Sequence, residues 1–309
     1  MELRQLEYVV AIADAGSFTA AGRRCHVAQS ALSRQVAQLE VELGVRLFHR
    51  TTREVRLTGP GQAFLPAARR VLSEAARARA EATDAATVPR GQLRLGASQA
   101  ASGSLDLAGL LGEFRRRFPE VTVVITAGPR QELVTGVVDG DLDLALAAEG
   151  TGGRSAPDGV RFRPLLADEA LRAVVASGDP LARRRRVSLA EIADHGPCVE
   201  FRPGTELRRL VDAAFSVAGV TRTIAFELGQ LTEMVRFARA GLGTAIVPRS
   251  FTADLTAADG PVPGVLEVAD PGLAMTIGAY IPAHAPLPSA RALLDVASRG
   301  DDELRRELA

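Results

Sequence analysis

The sequence predicts a chain in two parts: a small helical module ending in a hairpin and one long helix, then a larger α/β part. Three observations carry this. Apolar residues recur at helical spacing through three short runs before residue 44. An Ala-rich run from Gly61 to about Ala86 repeats small or apolar residues at alternating intervals of four and three. From residue 92 onward, strand-like runs alternate with helical ones, the pattern of α/β domains with largely parallel sheets.

Each element follows from local chemistry. Leu3, Leu6, Val9, Val10 and Ala13 mark one face of a helix over 3–14, which "GSF" at 16–18 interrupts. Ser17 or Thr19 can cap the next helix, "AAGRRCHV". A turn near 25–28 leads into "QSALSRQVAQLEVELG", with Leu32, Val36, Leu39 and Leu43 on one face and Gly44 as the stop. "RLFHRTTREVRLT" alternates apolar and charged residues and reads as a hairpin carrying Arg50, Arg53 and Arg56. In the long helix, Phe64, Ala68, Val71, Ala75, Ala78 and Ala82 form a seam that suits packing on a second helix. Pro89 and Gly91 then make a hinge over 87–92.

Beyond the hinge, strands are expected at 93–97, 121–127 and 142–148, with helices at 107–118 and 130–140. A second unit reads "ALRAVVAS" (strand), "SLAEIAD" (helix), "PCVEF" (strand), "GTELRRLVDAAFSVAG" (helix), "TRTIAFEL" (strand), "LTEMVRFARAG" (helix) and "GTAIVP" (strand). "LAMTIGAYI" and "PSARALLDVASR" close the chain as a strand and a helix. Ligands of such sheets sit in the loops past the carboxyl ends of the strands.

Composition narrows the class. The chain has 309 residues, 47% hydrophobic and 24% charged, the values of a globular protein. No run of 18 apolar residues suggests a membrane span. "MELRQLEYVVAIADAGSF" carries Glu2, Glu7 and Asp14 and no long apolar core, so no secretory leader is read there and a cytoplasmic location is expected. Cys25 and Cys198 offer no disulfide framework. Net charge is zero, yet residues 1–90 hold 13 Arg against 9 acids. A basic first segment on an acidic remainder points to a polyanion at that end. All 37 basic side chains are Arg, so every cationic contact is a planar fork.

The second helix of the pair opens with "AQSALSRQ" over 28–35, a cluster of short and forked polar groups. Such groups read base edges in a major groove, Arg on guanine and Gln on adenine. Gln29, Ser30, Ser33, Arg34 and Gln35 are the candidate readers, with Arg24 beside them. Arg50, Arg53 and Arg56 suit phosphates or a narrow minor groove.

Residues 1–72 resemble the N-terminal winged helix-turn-helix and linker helix of LysR-type transcriptional regulators almost without a gap. The remainder is similar, more loosely, to that family's effector-binding part, a type 2 periplasmic-binding-protein fold. "GDLDLALAA", "PGTELRRLVDAAF" and "AGLGTAIVPRS" stand where that fold has comparable segments. The resemblance implies a DNA-binding domain over 1–60, a dimerisation helix over 61–88 and an effector-binding domain over 92–309. Within the last, subdomain I is expected over about 92–163 and 268–309, and subdomain II over about 164–267.

Two departures from the family pattern bear on DNA reading. Ala28 stands where many members carry a hydroxyl N-cap, and Ser30 where many carry Pro. In the effector part, the resemblance places a cleft between the subdomains, lined by Ser98, Gln99, Ser102, Thr126, Phe201, Arg202, Thr205, Gln230 and Thr232. Hydroxyls and amides at helix starts suit a carboxylate or similar anion, and Arg202 could add a charge-assisted contact.

The function these features imply is a sequence-specific transcriptional regulator controlled by a small organic acid or aromatic compound. Its expected partners are promoter DNA with an imperfect inverted repeat, further copies of itself as a dimer of dimers, and RNA polymerase. No cofactor, metal, membrane contact or catalytic residue is expected. A solute-binding protein would match 92–300 but leaves the first 90 residues without a purpose. An enzyme would need a paired base and nucleophile, and His49, His195 and His284 stand in no such motif. Cys25–His26 has no second ligand pair, and "GLG" at 241–243 lacks the rest of a dinucleotide fingerprint.

Overall fold

The computed structural model describes residues 1–50, 55–82, 89–150, 156–253, 255, 261–283 and 286–307, with only the backbone of Arg50, Arg77, 79–82 and 299–307. Arg53, His284 and the stretch 83–88 of the expected linker and hinge lie outside the described residues.

The N-terminal head consists of α1 (Leu3–Ala15), α2 (Phe18–Arg24), α3 (Gln29–Leu43) and a hairpin of β1 (Phe48–Arg50) and β2 (Val55–Leu57). Gly16 and Gly44 end α1 and α3 in the left-handed conformation, with φ of 59° and 70°. Ser17 caps α2 by accepting from the amide of Ala20 at 3.4 Å. Leu6, Val9, Ile12, Leu32, Val36 and Leu39 are buried together, and Phe18 meets Phe48 edge-on at 5.8 Å between centroids. Each such buried side chain contributes about 1.5–3 kcal/mol, so the periodic apolar face decides the packing of three short helices that would be marginal alone.

The turn between α2 and α3 needs a glycine. A Cβ on Gly22 would stand 2.9 Å from the carbonyl oxygen of Val27, whose amide donates to the Gly22 carbonyl at 2.9 Å. The hairpin is tied to α3 through Glu40, whose carboxylate accepts from the amides of Leu47 (2.8 Å) and Phe48 (3.2 Å).

The long helix α4 runs Gly59–Ala82, starting two residues before the expected Gly61. Gly61 passes so close to Leu47 that a Cβ there would overlap its carbonyl oxygen. The seam expected to meet a second helix is partly used within the chain. Ala68 is buried in the head core and Phe64 packs on it, because α4 lies against α1. Val71 and Ala78 remain exposed.

The remainder folds on one long mixed sheet of β3 (Gly91–Ala97), β4 (Val121–Ala127), β5 (Leu144–Gly150), β6 (Val160–Val175), β7 (Arg186–Val187), β8 (Cys198–Phe201), β9 (Ile224–Leu228), β10 (Thr244–Pro248), β11 (Gly264–Val268) and β12 (Ala274–Pro282). The order is β4-β3-β5-β12-β6-β10-β8-β9, with β11 also pairing β6 and β7 pairing β11. Both ends are parallel, as expected: β3 with β4 and β5, and β8 with β9 and β10. The middle is not. β12 runs antiparallel to β5 and β6, and β6 antiparallel to β10.

The strand expected at "ALRAVVAS" is the end of this longer β6. Its first half escapes a reading by alternation because Pro164 lacks an amide donor and the ladder with β12 shifts register twice near Gly278. β6 pairs with β12 through Ala170 and with β10 and β11 from Leu171 on, so it spans both halves. The boundary expected near 163–164 falls inside this strand.

The helices are α5 (Gln99–Ser104), α6 (Leu107–Arg117), α7 (Arg130–Val138), α8 (Leu189–His195), α9 (Glu206–Ala218), α10 (Leu231–Arg239) and α11 (Pro288–Glu307). α5, β7 and β11 had no expectation; α5 is built from Gln, Gly, Ser and Ala, which show no helical period. Among the described residues, no helix is long and apolar enough to cross a membrane.

Candidate functional sites in the head and in the cleft

In the head, α3 buries Leu32, Val36 and Leu39 and leaves Gln29, Ser30 and Arg34 exposed on the other side, with Ser33 half-buried between. This is the placement a reading helix requires. Gln35 is turned elsewhere: its Oε1 accepts from Nε2 of the buried Gln5 at 3.3 Å, so it is engaged by α1. Arg24, at the end of α2, is exposed and pairs with Asp14 at 3.4 Å. Arg56 lies on β2 opposite His49, and the backbone of Arg50 on β1. Ala28 sits at the N-cap of α3 with extended backbone and no side-chain cap bond.

The α/β part holds a cavity of about 240 Å³ between the two halves of the sheet, at the carboxyl ends of the parallel strands. Larger hollows exist among the described residues, but of these it is here that helix starts from both halves converge. Ser98 and Gln99 come from the turn after β3, and Gly128, Pro129 and Arg130 from the turn after β4. Phe201, Arg202, Thr205 and Glu206 follow β8, and Gly229 and Gln230 follow β9. The starts of α7, α9 and α10 face this space, and their helix dipoles favour negative charge there.

Of the nine residues expected to line a cleft, six do: Ser98, Gln99, Phe201, Arg202, Thr205 and Gln230. Three do not. Ser102 sits a turn further along α5. Thr126 is still within β4, paired in register with Gly96 and exposed, because that strand continues to Ala127 and the turn begins later. Thr232 is the second residue of α10 and borders a different hollow with Arg236, Arg239 and Phe251.

Sequence reasoning missed the charged centre of the cavity. Arg130, the first residue of α7, is nearly buried; its Nη1 donates to Glu149 at 3.2 Å and to the Tyr280 hydroxyl at 3.1 Å. The Tyr280 hydroxyl in turn donates to Glu149. Nε of Arg130 has no hydrogen bond, although Glu206 lies 3.4 Å away. The Glu206 carboxylate, from the other half of the sheet, accepts from the amide of Gly150 at 3.2 Å and from Arg209. The available signal was positional: an Arg directly after "GP" at a strand-to-helix turn, and an acid one residue past a capping Thr. Ser98 and Thr205 both serve as caps, accepting from Ala101 at 3.3 Å and Arg208 at 3.4 Å.

Other titratable groups have structural partners. His195 bonds Asp179 at 2.8 Å. Cys198 is buried, and burial pushes its thiol up to about 12. Of the "RRRR" run at 183–186, Arg184 pairs with Glu191 at 2.6 Å. Among the described residues, no three His, Cys, Asp or Glu side chains cluster as metal ligands.

A helix-turn-helix head on a two-part α/β body with a cleft cavity defines a ligand-responsive DNA-binding regulator. The chain belongs to the LysR family of transcriptional regulators. Residues 3–62 match the profile described as a bacterial regulatory helix-turn-helix protein of the lysR family, and residues 86–301 match the LysR substrate binding domain. Among its relatives, the uncharacterized HTH-type transcriptional regulator YnfL of Escherichia coli K12 is 32% identical, over 81% of this chain and 83% of that one. Full-length CbnR in complex with its target DNA is 27% identical with a TM-score of 0.56, covering 97% of this chain and 99% of that one. A full-length variant of OxyR from Pseudomonas aeruginosa, at 24% identity, shares the fold with a TM-score of 0.79 over 97% of this chain and 94% of that one. The chain is therefore a transcriptional regulator with an effector-binding domain, and not an enzyme.

Proposed function

We propose that the chain reads promoter DNA with α3 and responds to a small organic acid or aromatic compound held in the 240 Å³ cavity. The observation that carries the effector reading is the convergence of three helix starts with Arg130 and Arg202 on one cleft. Its size, just below the roughly 300 Å³ at which ligand pockets begin, suits a compact molecule. Ser98, Gln99, Phe201, Arg202, Thr205 and Gln230 are the proposed contacts, joined by Arg130. Apolar Ala127, Ala148, Phe201 and Leu231 would cover the ligand's carbon skeleton.

On DNA, Gln29, Ser30, Ser33 and Arg34 are the proposed base readers, and Arg24, Arg50, Arg53 and Arg56 the backbone or minor-groove contacts. The solved complex of CbnR with its target DNA supports this use of the head. The exposed part of the α4 seam, Val71 and Ala78, suits pairing of two heads on an imperfect inverted repeat, with two such dimers assembling. RNA polymerase would be the further partner, and the cytoplasm the place of action.

A thermal-shift screen of small acids and aromatics on the full chain tests the effector reading, since a ligand of the native state raises its apparent stability by mass action. A compound that stabilises the native chain but not Arg202→Ala, and that alters footprints on flanking promoter DNA, is the expected result. Equal stabilisation of both proteins would place the ligand elsewhere. Footprints that are salt-sensitive but independent of sequence would overturn the reading of α3.

A further inference from the structure

α7 has a different neighbour at each end. Its first residue, Arg130, stands in the cavity, and Leu133, Val134 and Val137 bury its inner face. Its last turn, Asp139–Gly140–Asp141, lies against the long helix α4. Gly140 has φ of 76°, and a Cβ there would come within 3.2 Å of the Arg70 amide nitrogen, so the two backbones touch. Arg94 on β3 holds this turn from behind, donating to the Gly140 carbonyl at 2.7 Å and pairing with the buried Asp143 at 2.6 Å.

One guanidinium joins that turn to the head. Nη1 of Arg69 bonds Asp141, while Nη2 bonds Asp14 at the end of α1 at 2.5 Å. The second oxygen of Asp14 pairs with Arg24, beside the reading helix, at 3.4 Å. Asp141, Arg69, Asp14 and Arg24 thus form an alternating chain of charges running from the effector-binding domain to the DNA-binding face. Next to it lies a cavity of about 360 Å³ bordered by Arg70, Ser73, Glu74 and Gly140. Arg70 adds a second charge contact across the junction, 3.7 Å from Asp139.

We infer that Arg69 is a positioning residue that couples the two domains, with α7 as the strut between cavity and linker helix. While Arg69 holds both carboxylates, the head has one orientation relative to the effector-binding domain. Displacement of the turn at 139–141 releases Arg69, and with it the restraint on Asp14 and Arg24. The direction of the signal rests on the cavity being the effector site. The coupling itself does not, so no ligand enters its test, and the two readings fail separately.

Hydrogen exchange on the full chain tests this with two variants, Asp141→Ala and Asp14→Ala. A coupling free energy acts reciprocally and typically amounts to a factor of about 5 or more. In Asp141→Ala, amides at 11–16 and 18–24 should exchange about 5-fold faster, though the substitution lies in another domain. In Asp14→Ala, amides at 137–142 should do the same. Half-molar salt should move the wild-type chain in the same direction, because these carboxylates are partly exposed and screened. Faster exchange confined to the substituted domain in both variants would overturn the proposal. If one variant is unfolded, the other still decides.

Discussion

The amide of Leu231 donates to Oε1 of Gln99 at 3.0 Å, across the cavity from one half of the sheet to the other. The same side chain donates from Nε2 to the carbonyl of Gly229 at 2.8 Å. A single amide group thus clamps the turn before α10 against the start of α5. Two net hydrogen bonds of this kind contribute about 1–3 kcal/mol together. Gln99→Ala should lower stability in denaturant unfolding by that amount and speed exchange of the Leu231 amide. Gln99→Glu, which accepts but cannot donate, should keep the bond to Leu231 and lose the one to Gly229. Unchanged exchange in Gln99→Ala would show that packing alone closes this side.

Arg130 neutralises a carboxylate that is otherwise buried, since Glu149 has only a small exposed fraction. Arg130→Ala breaks this ion pair at a buried carboxylate and should cost up to about 3–5 kcal/mol in urea unfolding. Adding Glu149→Gln should recover part of the loss, because a neutral amide no longer needs the cation. If the single and double variants are equally unstable, the cost is one of packing rather than charge.

At the start of α3, a hydroxyl at position 28 would accept from an amide in the first turn. Ala28→Ser should stabilise this helix by roughly 0.5–2 kcal/mol and tighten operator binding modestly at fixed salt. Gel-shift titration checks it. Unchanged or weaker binding would mean that the DNA or the rest of the head already holds the helix start.

Burial pushes the Cys198 thiol up to about 12 and raises that of Cys25 less. A raised thiol stays protonated, and the thiolate is the reactive form. At pH 8 a maleimide should leave Cys198 of the folded chain unlabelled and react with Cys25 slowly, while denatured chain labels at both. Rapid labelling of Cys198 in folded chain would contradict its enclosure in β8.

Much of the head was legible because its signals are short-range. The apolar period of α3, the cap at Ser17, the stops at Gly16 and Gly44 and the exposed Gln29, Ser30 and Arg34 all follow from neighbours within a few residues. The cavity was legible in part for the same reason. Ser98, Thr205 and Gln230 stand at strand-to-helix turns, and such turns announce themselves. Thr126 missed because strand ends are set by ladder partners, here Gly96, rather than by the strand's own residues.

Local sequence was enough to define the kind of protein, through a head that resembles LysR-type regulators over residues 1–72 and whose polar cluster suits DNA reading. What the charges do was settled by packing in three dimensions. Arg130 meets Glu149, Tyr280 and Glu206, and Arg69 meets Asp14 and Asp141, over separations of 19 to 150 residues. An Arg carries no mark of its partner in the chain around it. Its role is set by which carboxylate the fold brings within reach, and that is a property of the packed strands and helices together.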